Sequence, residues 1–391
     1  MGKVNKIEEC PYVTRCGACH IGEKSYEQEL AEKKKWVIDC IGKYCDKIND
    51  VTGMYYPYHY RNKVHAVFGR RYDNGKDEII AGTYAERTHT IIPISDCLIE
   101  DVQASAIIRT ITELIKSFKL WVYNEDTGRG LMRHVLVRKG TSTKQIMVVL
   151  VTASSEFPHK NHFVQQLRER HPEITTIVQN INDKQTTMVL GDRNKILYGQ
   201  GYIEDVLLGL RFCISPGSFY QVNSAQTQVL YKKAIQAAAL TGKETVIDAY
   251  CGIGTIGMCM HAKAGRVIGI ELNEQAVKDA MANAKRNNLE NIHFIAADAT
   301  EYMTHISQKG EQADVIVMDP PRSGSTEAFV KAAASLRPRS IIYISCNPKT
   351  LGRDLAWFAK VGYIAEEAWP VDMFSFTDHV ECVMLMSRIK E

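Results

Sequence analysis

Two side chains near the end of the chain have the types needed for covalent chemistry. Cys346 ends an apolar run at 340–346, which makes it a candidate nucleophile, although a lone cysteine is more often an inert core residue. Glu381 lies inside a second apolar run at 379–388, where a carboxylate is unusual unless it is paired or used as a base. Held side by side, a thiol and a carboxylate can add to a substrate and then remove a proton from it.

The order of the elements predicts that these two residues meet. The strand-like runs at 363–374 and 379–388 are joined by four residues, a link too short for a crossover helix, so the two strands must pair antiparallel. If the last strand also runs antiparallel beside the strand at 340–346, its beginning lies at the carboxyl end of that neighbour. We therefore expect Glu381 close to Cys346.

The other apolar runs end in a glycine turn and in acids. Asp248 precedes a turn with glycines at 252, 254 and 257, Glu271 and Asp298 end the next two runs, and Asp319 precedes two prolines and Arg322. Such a turn opens the backbone and a helix N-terminus to a ligand, and an acid after the second strand suits the hydroxyls of a ribose. The set resembles that of S-adenosylmethionine-dependent methyltransferases. An amino-methyltransferase is disfavoured because Arg322 stands where those enzymes carry an aromatic residue.

A thiol and a carboxylate beside a methyl donor suit the methylation of an unactivated pyrimidine carbon. C5 of uracil is a poor nucleophile until a thiolate adds at C6, and a base must then remove the C5 proton so that the thiol can leave. Cys346 and Glu381 are the candidates for these two roles. The alternatives are a core cysteine and a structural carboxylate.

A second group of cysteines lies near the start. Cys10, Cys16 and Cys19 supply three thiolates, and Cys97 could supply a fourth, with Cys40 and Cys45 as rivals. Four thiolates suit zinc or a [4Fe–4S] cluster, and spacing alone does not choose between them.

The elements predict an α/β protein. From residue 210, short apolar runs alternate with helical stretches, which is typical of a doubly wound, Rossmann-like parallel sheet, here with an antiparallel last strand. Residues 51–209 predict a β-rich central domain with one helix from about Val102 to Phe118. Three domains are predicted. They are the cysteine-ligated segment at 1–50, whose fourth ligand is residue 97, the β-rich central domain at 51–209, and the doubly wound domain at 210–391.

Composition excludes other classes. The 391 residues are 45% hydrophobic and 24% charged, without a long apolar run or a signal-peptide pattern at the start, so we expect a cytoplasmic protein that does not enter a membrane. A formal net charge of +3 is too small for general nucleic-acid coating, and RNA binding would need a local basic surface. Two candidates are the stretch from Arg129 to Lys144 and the aromatic–basic segment from Pro57 to Lys63 together with Arg70 and Arg71. Either could instead be a solvated strand edge.

With these residues, the chain resembles the RNA 5-methyluridine methyltransferases, and within them the iron–sulfur branch that acts on 23S ribosomal RNA. The resemblance rests on the segments at 218–223, 248–254, 319–322, 345–348 and 379–381. It implies S-adenosylmethionine as the methyl donor, held or positioned by Gln221, Tyr250, Glu271 and Asp319. It also implies Cys346 as nucleophile and Glu381 as proton acceptor.

The resemblance also bears on the cysteines and on the partner. It implies a [4Fe–4S] cluster on Cys10, Cys16, Cys19 and Cys97, and ribosomal RNA as the partner, with no obligate protein partner. Members of this branch often carry a small N-terminal β-barrel, and we expect it to be missing because nine residues precede Cys10. Transfer RNA as the substrate, and a non-catalytic RNA-binding protein with a cluster or zinc, remain the alternatives.

Overall fold

The computed structural model describes residues 10–73, 75–85 and 88–389. The helices are α1 (Val13–Cys16), α2 (Tyr26–Ile41), α3 (Val102–Ser117), α4 (Lys160–Arg170), α5 (Ser224–Ala238), α6 (Thr255–Met260), α7 (Glu274–Arg286), α8 (Ala299–Gln308), α9 (Glu327–Ser335) and α10 (Pro348–Lys360). The strands are β1 (Lys63–Asp73), β2 (Lys76–Tyr84), β3 (Ile91–Pro93), β4 (Met132–Lys139), β5 (Ile146–Thr152), β6 (Ile174–Ile181), β7 (Arg193–Tyr198), β8 (Ile203–Leu207), β9 (Leu210–Ile214), β10 (Thr245–Ala249), β11 (Arg266–Glu271), β12 (Ile292–Ala296), β13 (Val315–Met318), β14 (Ser340–Ser345), β15 (Tyr363–Val371) and β16 (Glu381–Arg388).

The chain forms two compact units. The first contains the residues up to Glu23 together with Tyr56–Val206 and Cys213–Gly217, and the second contains Lys24–Tyr55, Leu207–Phe212 and Ser218–Glu391. This division differs from the predicted boundaries at 50 and 209. Helix α2, which we placed in the cysteine-ligated segment, belongs to the second unit because its apolar side packs against α10.

The first unit is built on a mixed sheet in the order β3-β2-β1-β4-β5-β6-β7. Its neighbours pair antiparallel except β5 and β6, which are parallel and connected through α4. Helix α3 covers one face and packs on β1, β2 and β4. The sequence predicted α3 and most of these strands, but it missed β2, β7 and α4, which are the more polar elements.

The second unit is a doubly wound α/β sheet in the order β12-β11-β10-β13-β14-β16-β15. The strands β10 to β14 are parallel, and β16 lies between β14 and β15, antiparallel to both. The predicted fold class and the antiparallel last strand are confirmed. Every residue of β13 and β14 is buried because helices cover both faces of a parallel sheet.

Several helices of this unit begin at a side chain that caps the exposed N–H groups. Asn273 starts α7, Asp298 starts α8, and Asn347 starts α10 just before a proline at its first position. Asp298 accepts hydrogen bonds from the backbone N–H groups of Thr300 and Glu301, so capping accounts for this acid. Across the described part of the chain, no helix is both long and apolar enough to cross a membrane.

Candidate active site

The glycine turn after β10 fixes two carboxylates. Asp248 is fully buried, and its Oδ2 accepts a hydrogen bond of 2.7 Å from the backbone N–H of Gly257. A Cβ on Gly257 would lie 2.8 Å from that oxygen, so the position requires glycine. Gly252 has φ of 55° and donates its N–H to Glu271 Oε2 at 3.0 Å. The backbone of one turn therefore orients both acids.

The charges at this turn suit a cationic ligand. The pKa of Asp248 is raised to about 7, chiefly by burial. The hydrogen bond from the Gly257 N–H lowers this pKa, and the negative charges of Asp319 and Glu271 raise it. Burial also raises the pKa of Asp319 to about 7. Among the described residues, Asp248 Oδ1 is buried without a hydrogen-bond partner. A ligand that carries positive charge and hydrogen-bond donors, as S-adenosylmethionine does, fits this set of carboxylates.

Tyr250 and Gln221 come from two elements beside the turn. Tyr250 follows β10 with φ of 64°, and its ring stacks on Phe329 with centroids 5.2 Å apart. Gln221 is buried just before α5. Helix α5 carries Tyr231, whose pKa is raised by burial and by the negative charge of Asp319. Asp319 is thus close to α5 as well as to the glycine turn.

The register of β14 and β16 brings the predicted nucleophile and base together. Ser345 pairs with Cys382, so Cys346 and Glu381 lie one step beyond this pair at the same edge. Burial raises the pKa of Glu381 to about 8, Asp319 raises it further, and Arg322 opposes them. Burial raises the pKa of Cys346 to about 11, with Glu381 and Asp319 adding and Arg322 opposing. The structure therefore places Asp319, Cys346, Glu381 and Arg322 within electrostatic reach of one another.

A further pair at this edge was not singled out from the sequence. Arg322 Nη2 lies 3.0 Å from Nε2 of His379, which lies near the end of the loop between β15 and β16. The ring of His379 also meets Phe374 edge-on at 6.0 Å. Arg322 follows the end of β13 and His379 precedes the start of β16 at the same edge of the sheet, and that placement was the available signal.

Helix α10 holds the loop that carries Arg322. Arg353 donates hydrogen bonds to the carbonyl oxygens of Ser323 and Ser325 at 2.8 and 2.9 Å. Asp354 is fully buried and accepts from the backbone N–H of Ser325 and from the hydroxyl of Tyr343, both at 2.7 Å. The loop after β13 is therefore fixed from Ser323 to Ser325, next to the predicted nucleophile.

The four predicted cluster cysteines are neighbours within the first unit. Burial raises the pKa of Cys16 and Cys19, and charge on Cys10 adds to both shifts. Burial raises the pKa of Cys97 to about 12, and Cys19 contributes to that shift. In the described parts of the chain, no group of three or more His, Cys, Asp or Glu side chains is arranged to hold a metal ion. The thiols are close, but they do not form a coordination site.

The central residues of the two predicted RNA-contact segments are buried and do not form the expected basic surface, whereas Arg129, Lys144, Arg70 and Arg71 are exposed. Arg133 and Arg138 are 1% and 2% exposed because β4 lies in the middle of its sheet. Arg133 donates to the carbonyl oxygens at 182 and 184 and to Glu125, and Lys139 pairs with Asp101 at 2.7 Å. The tyrosines at 58 and 60 are buried as well.

Comparison with known proteins agrees with this geometry. Residues 150–389 match the model of the tRNA (uracil-5-)-methyltransferase family. The chain is 42% identical over 382 residues to an uncharacterized RNA methyltransferase of Halalkalibacterium halodurans, covering 96% of this chain and 82% of that protein. It is 40% identical over 390 residues to an uncharacterized RNA methyltransferase of Bacillus cereus, covering 99% and 84%.

A solved structure shares the fold. The tRNA (uracil-54, C5)-methyltransferase of Pyrococcus abyssi, in complex with S-adenosyl-L-homocysteine, is 26% identical with a TM-score of 0.75. The match covers 93% of this chain and 83% of that one.

The sheet order, the glycine turn and the acids at the strand ends define an S-adenosylmethionine-dependent methyltransferase. The chain belongs to the RNA (uracil-5-)-methyltransferase family, which methylates C5 of uracil with S-adenosylmethionine as donor.

Proposed function

We propose that this enzyme methylates uracil C5 in 23S ribosomal RNA through a covalent adduct on Cys346, with Glu381 as the base that ends the reaction. The observation that carries the mechanism is the β14–β16 register, which sets a thiol and a buried carboxylate at one edge of the sheet. Both groups are close to Asp319, which also approaches the glycine turn.

The proposed steps use these side chains as follows. The Cys346 thiol loses its proton to water, and its sulfur bonds to C6 while the electrons of the C5–C6 double bond move towards C5. C5 then attacks the methyl group of the donor, and the bond from sulfur to methyl breaks to leave S-adenosylhomocysteine. Glu381 takes the C5 proton, the double bond forms again, and the bond from C6 to Cys346 breaks. Arg322, which favours the charged forms of both residues, stabilises the thiolate.

We assign the donor to the glycine-turn side of the sheet. Glu271, held by the Gly252 N–H, accepts from the ribose hydroxyls, and Tyr250 stacked on Phe329 borders the site. Gln221 and Asp319 orient the donor from the α5 side. These roles rest on burial, on the hydrogen bonds of the turn, and on the charge of the set.

Two variants with opposite effects on the adduct test the mechanism. Cys346→Ala should form no covalent complex with RNA and no product. Glu381→Gln keeps the size of the side chain but cannot accept the proton, so it should methylate once and stay bound. A denaturing gel with S-adenosylmethionine and substrate RNA should show a slow band for Glu381→Gln that is missing for Cys346→Ala.

The controls are a cysteine and a glutamate outside the proposed catalytic pair. Cys40→Ala and the exposed Glu327→Gln should turn over like the parent enzyme. A Cys346→Ala enzyme that still makes 5-methyluridine would refute the assignment, as would a Glu381→Gln enzyme with parental turnover.

Ribosomal RNA is preferred as the substrate because of the cysteine set, and transfer RNA is the second candidate. The second candidate is favoured by the Pyrococcus abyssi structure, whose enzyme acts on uracil-54 of tRNA. Mapping 5-methyluridine in both RNAs from cells that lack the gene, complemented by the parent or by Cys346→Ala, separates the two. If 5-methyluridine disappears from 23S RNA alone, the ribosomal substrate is supported. If it disappears from tRNA alone, the ribosomal substrate is refuted.

For RNA contact we propose a groove of about 660 Å³ between α4 and β7 in the first unit. Lys160 and Lys195 face each other there, and the Lys195 ammonium holds the pKa of Lys160 below its ordinary value. Arg168 stacks on the ring of Tyr198, with its guanidinium carbon 3.6 Å from the ring centroid. Two ammonium groups near one another and a ring at the same groove suit a phosphate backbone with an unstacked base.

We also propose that Cys10, Cys16, Cys19 and Cys97 bind a [4Fe–4S] cluster. Support comes from the closeness of the four thiols and from their soft donor chemistry. Cluster binding would have to draw the thiols together, since the described side chains do not form a coordination site. Methyl transfer needs no electron transfer, so the role assigned to the cluster is to tie the start of the chain to the first unit.

A further inference from the structure

Helix α2 carries a buried charged group that contacts the loop between β15 and β16. Lys33 is 4% exposed, and its ammonium donates to Glu29 Oε1 and Asp372 Oδ1, both at 2.6 Å, and to the carbonyl oxygen of Phe374 at 3.1 Å. All three of its N–H groups are therefore used. Asp372 follows β15 directly and is fully buried. We call Glu29, Lys33 and Asp372 the buried triad.

The triad binds the loop at several further points. Asp372 Oδ2 accepts from the Ser375 hydroxyl at 2.6 Å and from the Tyr26 hydroxyl. Glu29 Oε1 accepts from the backbone N–H of Phe376 at 2.7 Å. Phe376 has φ of 63°, a conformation that a bulky residue rarely adopts unless its surroundings impose it. The triad is therefore the contact that holds this turn.

The loop held in this way leads directly to the catalytic edge. The hydroxyl of Thr377 donates to the Phe374 carbonyl and accepts from the His379 backbone N–H, at 2.7 and 3.3 Å. The next strand begins at Glu381, which pairs with Val371 across the ladder. The loop thus starts at Asp372 and ends at the predicted base, with both ends fixed side by side.

The same loop is tied to the segment that contains Gln221. Asn223, which caps α5, donates to the Met373 carbonyl at 3.0 Å, and Gln226 donates to the Asp372 carbonyl at 3.0 Å. The triad therefore supports the backbone where the donor side and the base side of the site meet. Buried ions are costly unless they are fully paired, and replacing them by apolar groups is often neutral for stability, so stability alone does not account for a fully paired set here.

We propose that the buried triad of Glu29, Lys33 and Asp372 positions Glu381 for proton removal from C5, and that its loss slows release of the RNA adduct. This inference rests on the proposed function, because it assumes that Glu381 is the base. None of the three residues touches the reacting atoms. They act through the loop, as positioning residues.

Two variants of the triad test the proposal in the full-length enzyme. Asp372→Asn keeps the shape and leaves Lys33 balanced by Glu29, so it is the variant better able to fold. Lys33→Met removes the ammonium that joins the two carboxylates. Lys34→Met is the matched control, because Lys34 lies on the same helix as Lys33 but pairs with the exposed Asp50, outside the helix.

The readouts separate positioning from a general loss of structure. For Asp372→Asn and Lys33→Met we expect affinity for S-adenosylmethionine within about twofold of the parent, kcat per folded enzyme at least tenfold lower, and a KM for RNA that changes little. The covalent band on a denaturing gel should persist longer than in the parent, as it does for Glu381→Gln. Lys34→Met should match the parent in all of these measurements.

The failure of this proposal can be told from a failure of the proposed mechanism. If Glu381→Gln traps the adduct while Asp372→Asn releases it at the parental rate, the positioning role is refuted and the mechanism stands. If Lys33→Met and Asp372→Asn lose activity only in proportion to their unfolded fraction, the role is structural and the proposal is also refuted. If Glu381→Gln itself turns over normally, the mechanism is at fault.

Discussion

Ser345 and Cys382 pair across the antiparallel ladder of β14 and β16, and this register places Cys346 beside Glu381. The thiol comes from the carboxyl end of a parallel strand, and the carboxylate comes from the first residue of the antiparallel strand. A shift of one residue in this pairing would turn Glu381 to the other face of the sheet. The geometry of the candidate site therefore depends on the order and register of these two strands.

The burial of Glu381 should make the protein less stable as pH rises. Its pKa is about 8 in the folded protein, above the ordinary glutamate value of 4.5, so the folded state holds the proton more strongly and loses stability between about pH 4.5 and 8. Glu381→Gln removes this loss. We expect its melting temperature to exceed the parent's by at least about 3 °C at pH 8.5, the shift that ~1 kcal/mol produces, with a smaller or reversed difference at pH 5. A difference that does not change with pH would show that Glu381 is not held in this way.

Removing the charge of Arg322 should move the pH dependence of methylation to higher pH. Arg322 lowers the pKa of both Cys346 and Glu381, and the proposed mechanism uses both in their deprotonated forms. In Arg322→Gln, the rising limb of log kcat/KM against pH should shift upwards, by about half a unit or more. Arg337→Gln, on an exposed turn, is the control and should leave the profile unchanged. If the rising limb does not shift in Arg322→Gln, then Arg322 does not set the pKa of either group.

The groove between α4 and β7 should contribute to RNA affinity. Replacing Lys160 and Lys195 together by alanine should weaken binding to every RNA and reduce the slope of log affinity against log salt by about 1.4, since each phosphate contact on a single strand contributes roughly 0.7. The control is Lys116→Ala with Lys184→Ala, which removes the same charge elsewhere on the first unit. Equal effects of the two double variants would mean that only net charge matters.

Iron analysis tests the cysteine proposal. Protein purified without oxygen should be brown and hold about four irons per chain, as a [4Fe–4S] cluster requires. Cys97→Ala should lose the iron and the visible absorbance, whereas Cys40→Ala, outside the proposed ligand set, should keep both. Stoichiometric zinc in the anaerobic protein, or full iron content in Cys97→Ala, would refute the cluster.

The sequence by itself determined the class of the second unit and the residue types of its site. Apolar runs that end in an acid or a cysteine are a local pattern, and parallel strands bring their carboxyl ends to one edge, so such residues can be read together without a structure. The short link between β15 and β16 also predicted the antiparallel pair correctly. Capping side chains such as Asn273 follow from local rules as well.

Only the tertiary structure decided which charged residues are buried. Arg133 and Arg138 looked like a basic surface because charge in a sequence suggests solvent, but their strand lies in the middle of a sheet. Lys33 and Asp372 are separated by 339 residues, and no periodicity links an N-terminal helix to a loop near the other end of the chain. Such contacts arise when helix α2 packs on α10, because pairing of buried charges is set by three-dimensional packing and not by spacing along the chain.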